Sequence, residues 1–353
     1  MNVTLSTGPT GIGTRSARAH LRPGDQPVRP IPGLYWHPVA EPEPTVYEEL
    51  DRRLKRWAVD DIALFPPEWE EQFDSFGTGR YMCLTYPDAA SLEHLEAAGQ
   101  LMVAENAVDD CYCEDHGGSP HGLGARLLMA HSALERPHSI APYEQQWQDK
   151  LESEAPCRAY RSSMESFDRI SADQVRDREI HDLARLHLGY LAEASWSIDE
   201  RVPPLSEYLM VRQYNSFRPC LSIVDAVAGY AFPADLHDHS KVQQVIALAA
   251  LATTLVNDLY SYTKELRSPR PHVNLPTVIG HHDQLPPEEA YDKAITVHND
   301  VMHRFEAESA ACLAELPGAL TARYLKGIAD WVDGDHWWHA TNTGRYTLPG
   351  WLA

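Results

Sequence analysis

From Val46 onward, apolar residues recur at three- and four-residue intervals, the spacing of one face of an α-helix. The pattern predicts helices over 46–58, 91–113, 122–135, 173–197, 206–218, 221–231, 240–265, 287–315 and 318–340. Pro66-Pro67, Gly117-Gly118, Pro203-Pro204, Pro269, Pro271 and Pro286-Pro287 punctuate them. No stretch alternates with the period of a strand, and no internal repeat appears. The expectation is an all-α domain of about ten helices, running from residue 31 to 353. Residues 1–30 lack the periodicity. They are rich in Thr, Ser, Gly and Pro and carry Arg15, Arg18, Arg22 and Arg29 against the single acid Asp25. Such a segment buries too little surface to offset the entropy of ordering, so a solvated tail is expected. The sharper alternative is a segment that closes over a site when ligand binds.

Helix 240–265 departs from the amphipathic norm. Its middle, VIALAALATTLV, is apolar all round, which requires burial on every side. The run from Val245 to Val256 is 12 residues, against the roughly 20 needed to span a bilayer; no transmembrane segment is expected. Polar residues follow at once. Asn257, Ser261 and Glu265 are spaced i, i+4, i+8, so at ~100° per residue their side chains drift only ~40° per step and share one stripe. An amide carbonyl, a hydroxyl and a carboxylate are hard donors suited to Mg²⁺. The plainer reading is a solvated helix end.

A second polar group closes the predicted helix 91–113. Asp109, Asp110, Glu114 and Asp115 lie where the macrodipole disfavours acids unless a cation sits there; a charged end facing water is the competing reading. Two helices facing one another across a bundle cavity could share cations. Cys111 and Cys113 with His116 or His121 make a poor zinc site, because residues i and i+2 point ~200° apart on a helix. His237-Asp238-His239 is better explained by an N-cap at Asp238 or Ser240 than by metal. Arg212 precedes Asn257 by 45 residues, and Arg345-Tyr346 lie near the C-terminus. Guanidinium and ammonium groups are the usual donors to diphosphate oxygens, although any single Arg is ordinarily a surface ion-pair residue.

Composition narrows the partners. The 353 residues include 51 acids and 30 bases, a formal charge of −21. Such a surface repels phosphate backbones and argues against nucleic-acid or anionic-membrane binding. The 43% hydrophobic content is that of a packed globule. Six cysteines in no disulfide-like spacing, with no signal-peptide pattern in the first residues, lead to the expectation of a cytoplasmic protein. Nothing in the sequence selects between a monomer and a homodimer.

DDCYCE (109–114) resembles the aspartate-rich motif of class I terpene synthases, and NDLYSYTKE (257–265) is similar to their Asn/Ser/Glu motif with its embedded Lys. Arg212 stands where that family places a diphosphate-sensing Arg, and Arg345-Tyr346 resembles its terminal Arg-Tyr pair; the likeness runs from about Ile31 to Pro349. It implies a helical bundle around a central cavity. It also implies metal ligation by Asp109, Glu114, Asn257, Ser261 and Glu265, with Asp110 either a ligand or an orienting group for Arg212 or for a metal-bound water. Three Mg²⁺ ions and diphosphate contacts from Arg212, Lys264, Arg345 and Tyr346 follow from the same likeness. A helix break with a substrate-facing carbonyl is implied near Asn215, Ser216 and Pro219, although Gly is common where Ser216 stands.

The implied activity is ionisation of an allylic diphosphate and cyclisation of the carbocation in a dry, aromatic cavity. Candidate liners are Phe76, Tyr81, Tyr112, Trp196, Phe217, Trp331 and Trp338, of which DWVDGDHWWH (330–339) is the most concentrated source. The string DDCYCED and the Pro-rich tail further resemble a bacterial subgroup whose substrate is 2-methylgeranyl diphosphate. Cyclases of geranyl or farnesyl diphosphate would share every motif. A chain-elongating prenyltransferase would carry a second Asp-rich motif in place of Asn/Ser/Glu, and a non-catalytic helical binding protein is the remaining class.

Overall fold

The structure is a computed structural model that describes residues 26–65, 73–74, 76–113, 120–135, 138–267, 273–342 and 345–352. Helices make up most of it. In chain order they are α1 (Pro44–Arg56), α2 (Thr78–Thr85), α3 (Leu92–Val108), α4 (Leu123–His131), α5 (Tyr143–Ser153), α6 (Ala155–Phe167), α7 (Asp173–Ile198) and α8 (Leu205–Val211). The short helices α9 (Arg218–Ser222), α10 (Val224–Val227) and α11 (Ala234–His237) lead into α12 (Ser240–Glu265), α13 (Leu275–Asp283), α14 (Pro287–Glu315) and α15 (Ala319–Thr341). Wider π-helical turns extend α1 over Trp57–Asp61 and α3 over Asp109–Cys113.

The all-round apolar helix is central. α12 packs against α14, α15, α9 and α13, and Val245, Ile246, Ala249, Ala250, Leu255 and Leu259 have no contact with solvent. Thr253 and Thr254 survive in this interior by returning their hydroxyls to the carbonyls of Ala249 and Ala250. The helix start corrects the sequence reading. His239 is the N-cap, its Nδ1 accepting from the Lys241 amide at 3.3 Å. Asp238 is already used to end α11, and Ser240 is the first helical residue.

Several boundaries also shift. The stretches expected as helices 206–218 and 221–231 are broken, because Arg212 ends α8 and Pro219 starts α9. The periodicity does not predict helices α2, α5, α6, α11 and α13. α5 (YEQQWQDKLES) buries only Leu151 and so lacks an apolar stripe; α2 is buried nearly all round and lacks one for the opposite reason. α13 did carry a readable signal, a capping box between Asn274 and Thr277 with Pro276 in the first turn.

Residues 1–25, with the proposed closing segment, lie outside the described residues. The last residues of the expected tail belong to the packed body. β1 (Gln26–Pro27) pairs antiparallel with β2 (Thr347–Leu348), a two-residue ladder too short to show as alternation. Arg29 donates to the Leu352 carbonyl at 2.7 Å, and the Ile31 amide to the Tyr260 hydroxyl at 3.2 Å. Buried apolar side chains from Val28 to Leu352 form one cluster.

The crossing of α15 over α2 depends on Gly334. A Cβ there would lie 2.2 Å from the Leu84 carbonyl oxygen and 2.9 Å from the Thr85 Cα, both backbone atoms. Gly334→Ala is therefore expected to destabilise the fold by about 1–3 kcal/mol through overpacking, read as a lower urea midpoint with an unchanged slope.

Candidate active site

A cavity of about 750 Å³ opens between α3, α7, α8, α12 and α15. Its two principal walls come from helical spacing. α3 and its π turn present Met102, Glu105, Asp109 and Cys113; α12 presents Thr254, Asn257, Ser261 and Glu265. Each series becomes acidic toward the helix C-terminus, so the carboxylates of both helices border one space. The π turn decides which acid faces inward. Asp109 lines the cavity, whereas Asp110, Cys111 and Tyr112 are turned into the protein with at most 1% exposure. Glu114 lies outside the described residues. Asp110 is thus not brought to the cavity, and the group that orients Arg212 is a different one, Asp258.

Asp258 is fully used. Its Oδ1 accepts from Arg212 Nη2 at 2.6 Å, and its Oδ2 from the Tyr208 hydroxyl and the Leu275 amide at 3.1 Å. Burial opposes the charge of Arg212, but Asp258, Tyr208 and Glu193 together outweigh it and hold the guanidinium pKa above its ordinary value. The chain breaks directly after Arg212, and Asn215 and Ser216 line the cavity from the break. α7 approaches this break closely. A Cβ on Gly189 would sit 2.3 Å from the Asn215 amide nitrogen.

The amide of Asn257 is oriented from behind. His339 Nδ1 lies 2.8 Å from the Asp335 backbone carbonyl, which can only accept, so that nitrogen carries a proton. In the tautomer this bond fixes, Nε2 accepts from Asn257 Nδ2 at 3.1 Å. The Asn257 carbonyl oxygen is left for other partners. Ser261 donates to Glu265 at 2.6 Å, and Asn274 donates to the other Glu265 oxygen at 2.7 Å. Asp109, Asn257, Ser261 and Glu265 are then hard oxygen donors on two walls of one cavity, a set that fits Mg²⁺. Lys264 and Arg345 line the same cavity; Arg345 Nε donates to the Tyr346 hydroxyl at 3.0 Å, and its guanidinium lies 5.1 Å from the Phe76 ring centre.

Aromatic rings line another part of the cavity. Phe76, Tyr81, Trp196, Phe217 and Trp338 border the cavity, with Tyr81 and Trp338 stacked at 4.4 Å between ring centres. Tyr81 donates its hydroxyl to the buried carboxylate of Asp335. Of the expected liners, Trp331 and Tyr112 stand behind the wall; Trp331 packs on Tyr81 and Phe217. Sequence reasoning assigns no role to Asp258, His339 or Glu105. Asp258 belongs to the polar end of α12 in NDLYS but lies off the i, i+4, i+8 series of Asn257. His339 and Glu105 each fall four residues, or one turn, from a residue that contributes to the site: Asp335 and Asp109.

The family model described as terpene synthase family 2, C-terminal metal binding, matches residues 100–304. The 2-methylisoborneol synthase of Streptomyces griseus is 54% identical, over 98% of this chain and 80% of its own length. That of Saccharopolyspora erythraea is 34% identical, over 89% of each chain. The crystal structure of 2-methylisoborneol synthase from Streptomyces coelicolor A3(2) in complex with Mg²⁺ and 2-fluoroneryl diphosphate is similar with a TM-score of 0.89 and 57% identity, covering 91% of this chain and 99% of that one.

If His339 aims the Asn257 amide, His339→Phe should raise the Mg²⁺ concentration needed for half-maximal thermal stabilisation by pyrophosphate by about 10–100-fold. His339→Gln, which keeps an acceptor, should recover part of that loss. An unchanged Mg²⁺ titration in the Phe variant would remove His339 from the site.

Proposed function

The chain belongs to the terpene synthase family, and from that premise we propose that it converts 2-methylgeranyl diphosphate and water to 2-methylisoborneol and diphosphate. The observation that carries the proposal is the division of one cavity into two kinds of wall. Hard oxygen donors from α3 and α12 stand with Arg212, Lys264 and Arg345, and the rings of Phe76, Tyr81, Trp196, Phe217 and Trp338 line the same space.

Asp109, Asn257, Ser261 and Glu265, with Glu114, would hold Mg²⁺, three ions in the full complement we propose. Bound there, the cations neutralise the diphosphate and make it a competent leaving group. Arg212, Lys264, Arg345 and Tyr346 would grip its oxygens and keep them from returning to the carbocation. Arg212 reaches that position already straightened by Asp258, which lowers the entropy cost of the contact. The rings of Phe76, Tyr81, Phe217 and Trp338 exclude water and face the cation with their electron-rich surfaces, each contact contributing up to ~2 kcal/mol when desolvated.

The expected course is ionisation, isomerisation to a tertiary linalyl-type diphosphate, 1,6-ring closure, closure to a bornyl-type cation and capture by one water. The proposed setting is the cytoplasm without membrane insertion. α12 is long and apolar enough to cross a bilayer by length and composition, but its apolar surface is covered by α14, α15, α9 and α13.

Incubation of the purified chain and Mg²⁺ with geranyl, 2-methylgeranyl or farnesyl diphosphate, followed by mass identification of the products, tests the proposal. 2-Methylisoborneol should form from the methylated substrate, and EDTA should abolish it; turnover of the farnesyl compound alone would overturn the reading. Asp109→Asn and Asn257→Ala should each reduce turnover at least about tenfold with unaltered circular dichroism.

A further inference from the structure

Water capture needs one water in an otherwise dry cavity, and a base to take the proton that the attack releases. None of the groups assigned above supplies either. Two buried carboxyls do. Glu105, on α3 one turn before Asp109, lines the cavity at 7% exposure. Its Oε1 has no hydrogen-bond partner among the described residues, and its Oε2 has only a weak contact, the Cys220 thiol at 3.9 Å. Glu179, on α7, is wholly buried, and neither of its oxygens has a hydrogen-bond partner among the described residues.

Three unpartnered carboxyl oxygens in a protein interior are costly, at about 1–3 kcal/mol for each unsatisfied group. A bound water with two to four polar contacts is the ordinary way such groups are satisfied. Burial pushes the Glu105 carboxyl up to about 8. Burial, and then the proximity of Glu105 and Asp182, push Glu179 well above the usual carboxylate range. Both carboxyls therefore favour the neutral form, and a cation in the cavity favours ionisation of the cavity-lining Glu105 by Coulomb attraction.

We infer that Glu105, backed by Glu179, seats the water that quenches the final carbocation and accepts its proton. An oxygen lone pair of the water forms the new C–O bond to the cationic carbon. One O–H bond of the resulting oxonium breaks, and the proton passes to the Glu105 carboxylate, leaving a neutral alcohol and a neutral acid. Glu105 lies on the cavity wall one turn before Asp109, and the role inferred for it is the last step alone. The inference rests on the cyclase reading above and assigns the residue that makes the product an alcohol.

The test measures two quantities on the full chain with Mg²⁺ and 2-methylgeranyl diphosphate: total diphosphate released, and the ratio of alcohol to hydrocarbon products. Glu105→Gln keeps the shape and removes the base. Its alcohol share should fall by tenfold or more, within the range of about 10²–10⁴ ascribed to a positioned general base, while diphosphate release stays within a few-fold of wild type. Glu105→Asp, which keeps the carboxyl but withdraws it by one methylene, should lie between the two. An unchanged alcohol share in both folded variants overturns the inference while leaving the cyclase reading intact. Loss of diphosphate release in Glu105→Gln also overturns it, by moving Glu105 to the ionisation step. A wild type that releases diphosphate and yields only hydrocarbons overturns the inference together with the alcohol-forming reading.

Discussion

The carboxylate of Asp258 is the contact on which the site's geometry depends. It lies one residue after Asn257 on α12 and borders the same cavity. There it ties Arg212 and Tyr208 from α8 to the start of α13 through the Leu275 amide. Both partners of the ion pair are at least 88% buried, and removing one member of such a pair costs about 3–5 kcal/mol. One side chain thus couples the anchor of the apolar core, α12, to the Arg212 guanidinium and to the helix break beyond it. The bare Gly189 completes the arrangement by letting α7 close on Asn215.

The same logic of backing each functional group from behind recurs across the cavity. Asp335 accepts from Tyr81 through its side chain and from His339 through its backbone, and His339 then holds the Asn257 amide. Asn274 and Ser261 each hold one oxygen of Glu265. Cavity-lining groups so fixed are poised before ligand arrives, which suits chemistry in which a misplaced water would end the reaction early. It also gives the net charge its meaning. A chain with 51 acids against 30 bases looks hostile to a diphosphate, yet only a few of those acids face the cavity. There, bound cations would reverse the local sign.

Much of the fold was legible because its signals are local. The all-round apolar run marked α12 as the buried axis, and its bounds of 240–265 agree with the structure. The four-residue spacing of Asn257, Ser261 and Glu265 requires a shared face in any straight helix. The polar α5, the wholly buried α2 and the two-residue strand pair left no periodic trace, so they were not readable.

The sequence by itself determined the helical class, the two oxygen-bearing motifs and the chemistry they admit, since residue type and helical period fix these without reference to the rest of the chain. Tertiary structure decided the remainder. Nothing local reveals that a π turn sends Asp109 inward and Asp110 into the core, or that Asp258 rather than Asp110 holds Arg212. Nor does it reveal that Trp338 faces the cavity while Trp331 stands behind it. Only packing between helices distant in sequence brings Glu105 beside Glu179, and burial there turns two ordinary acids into a water site.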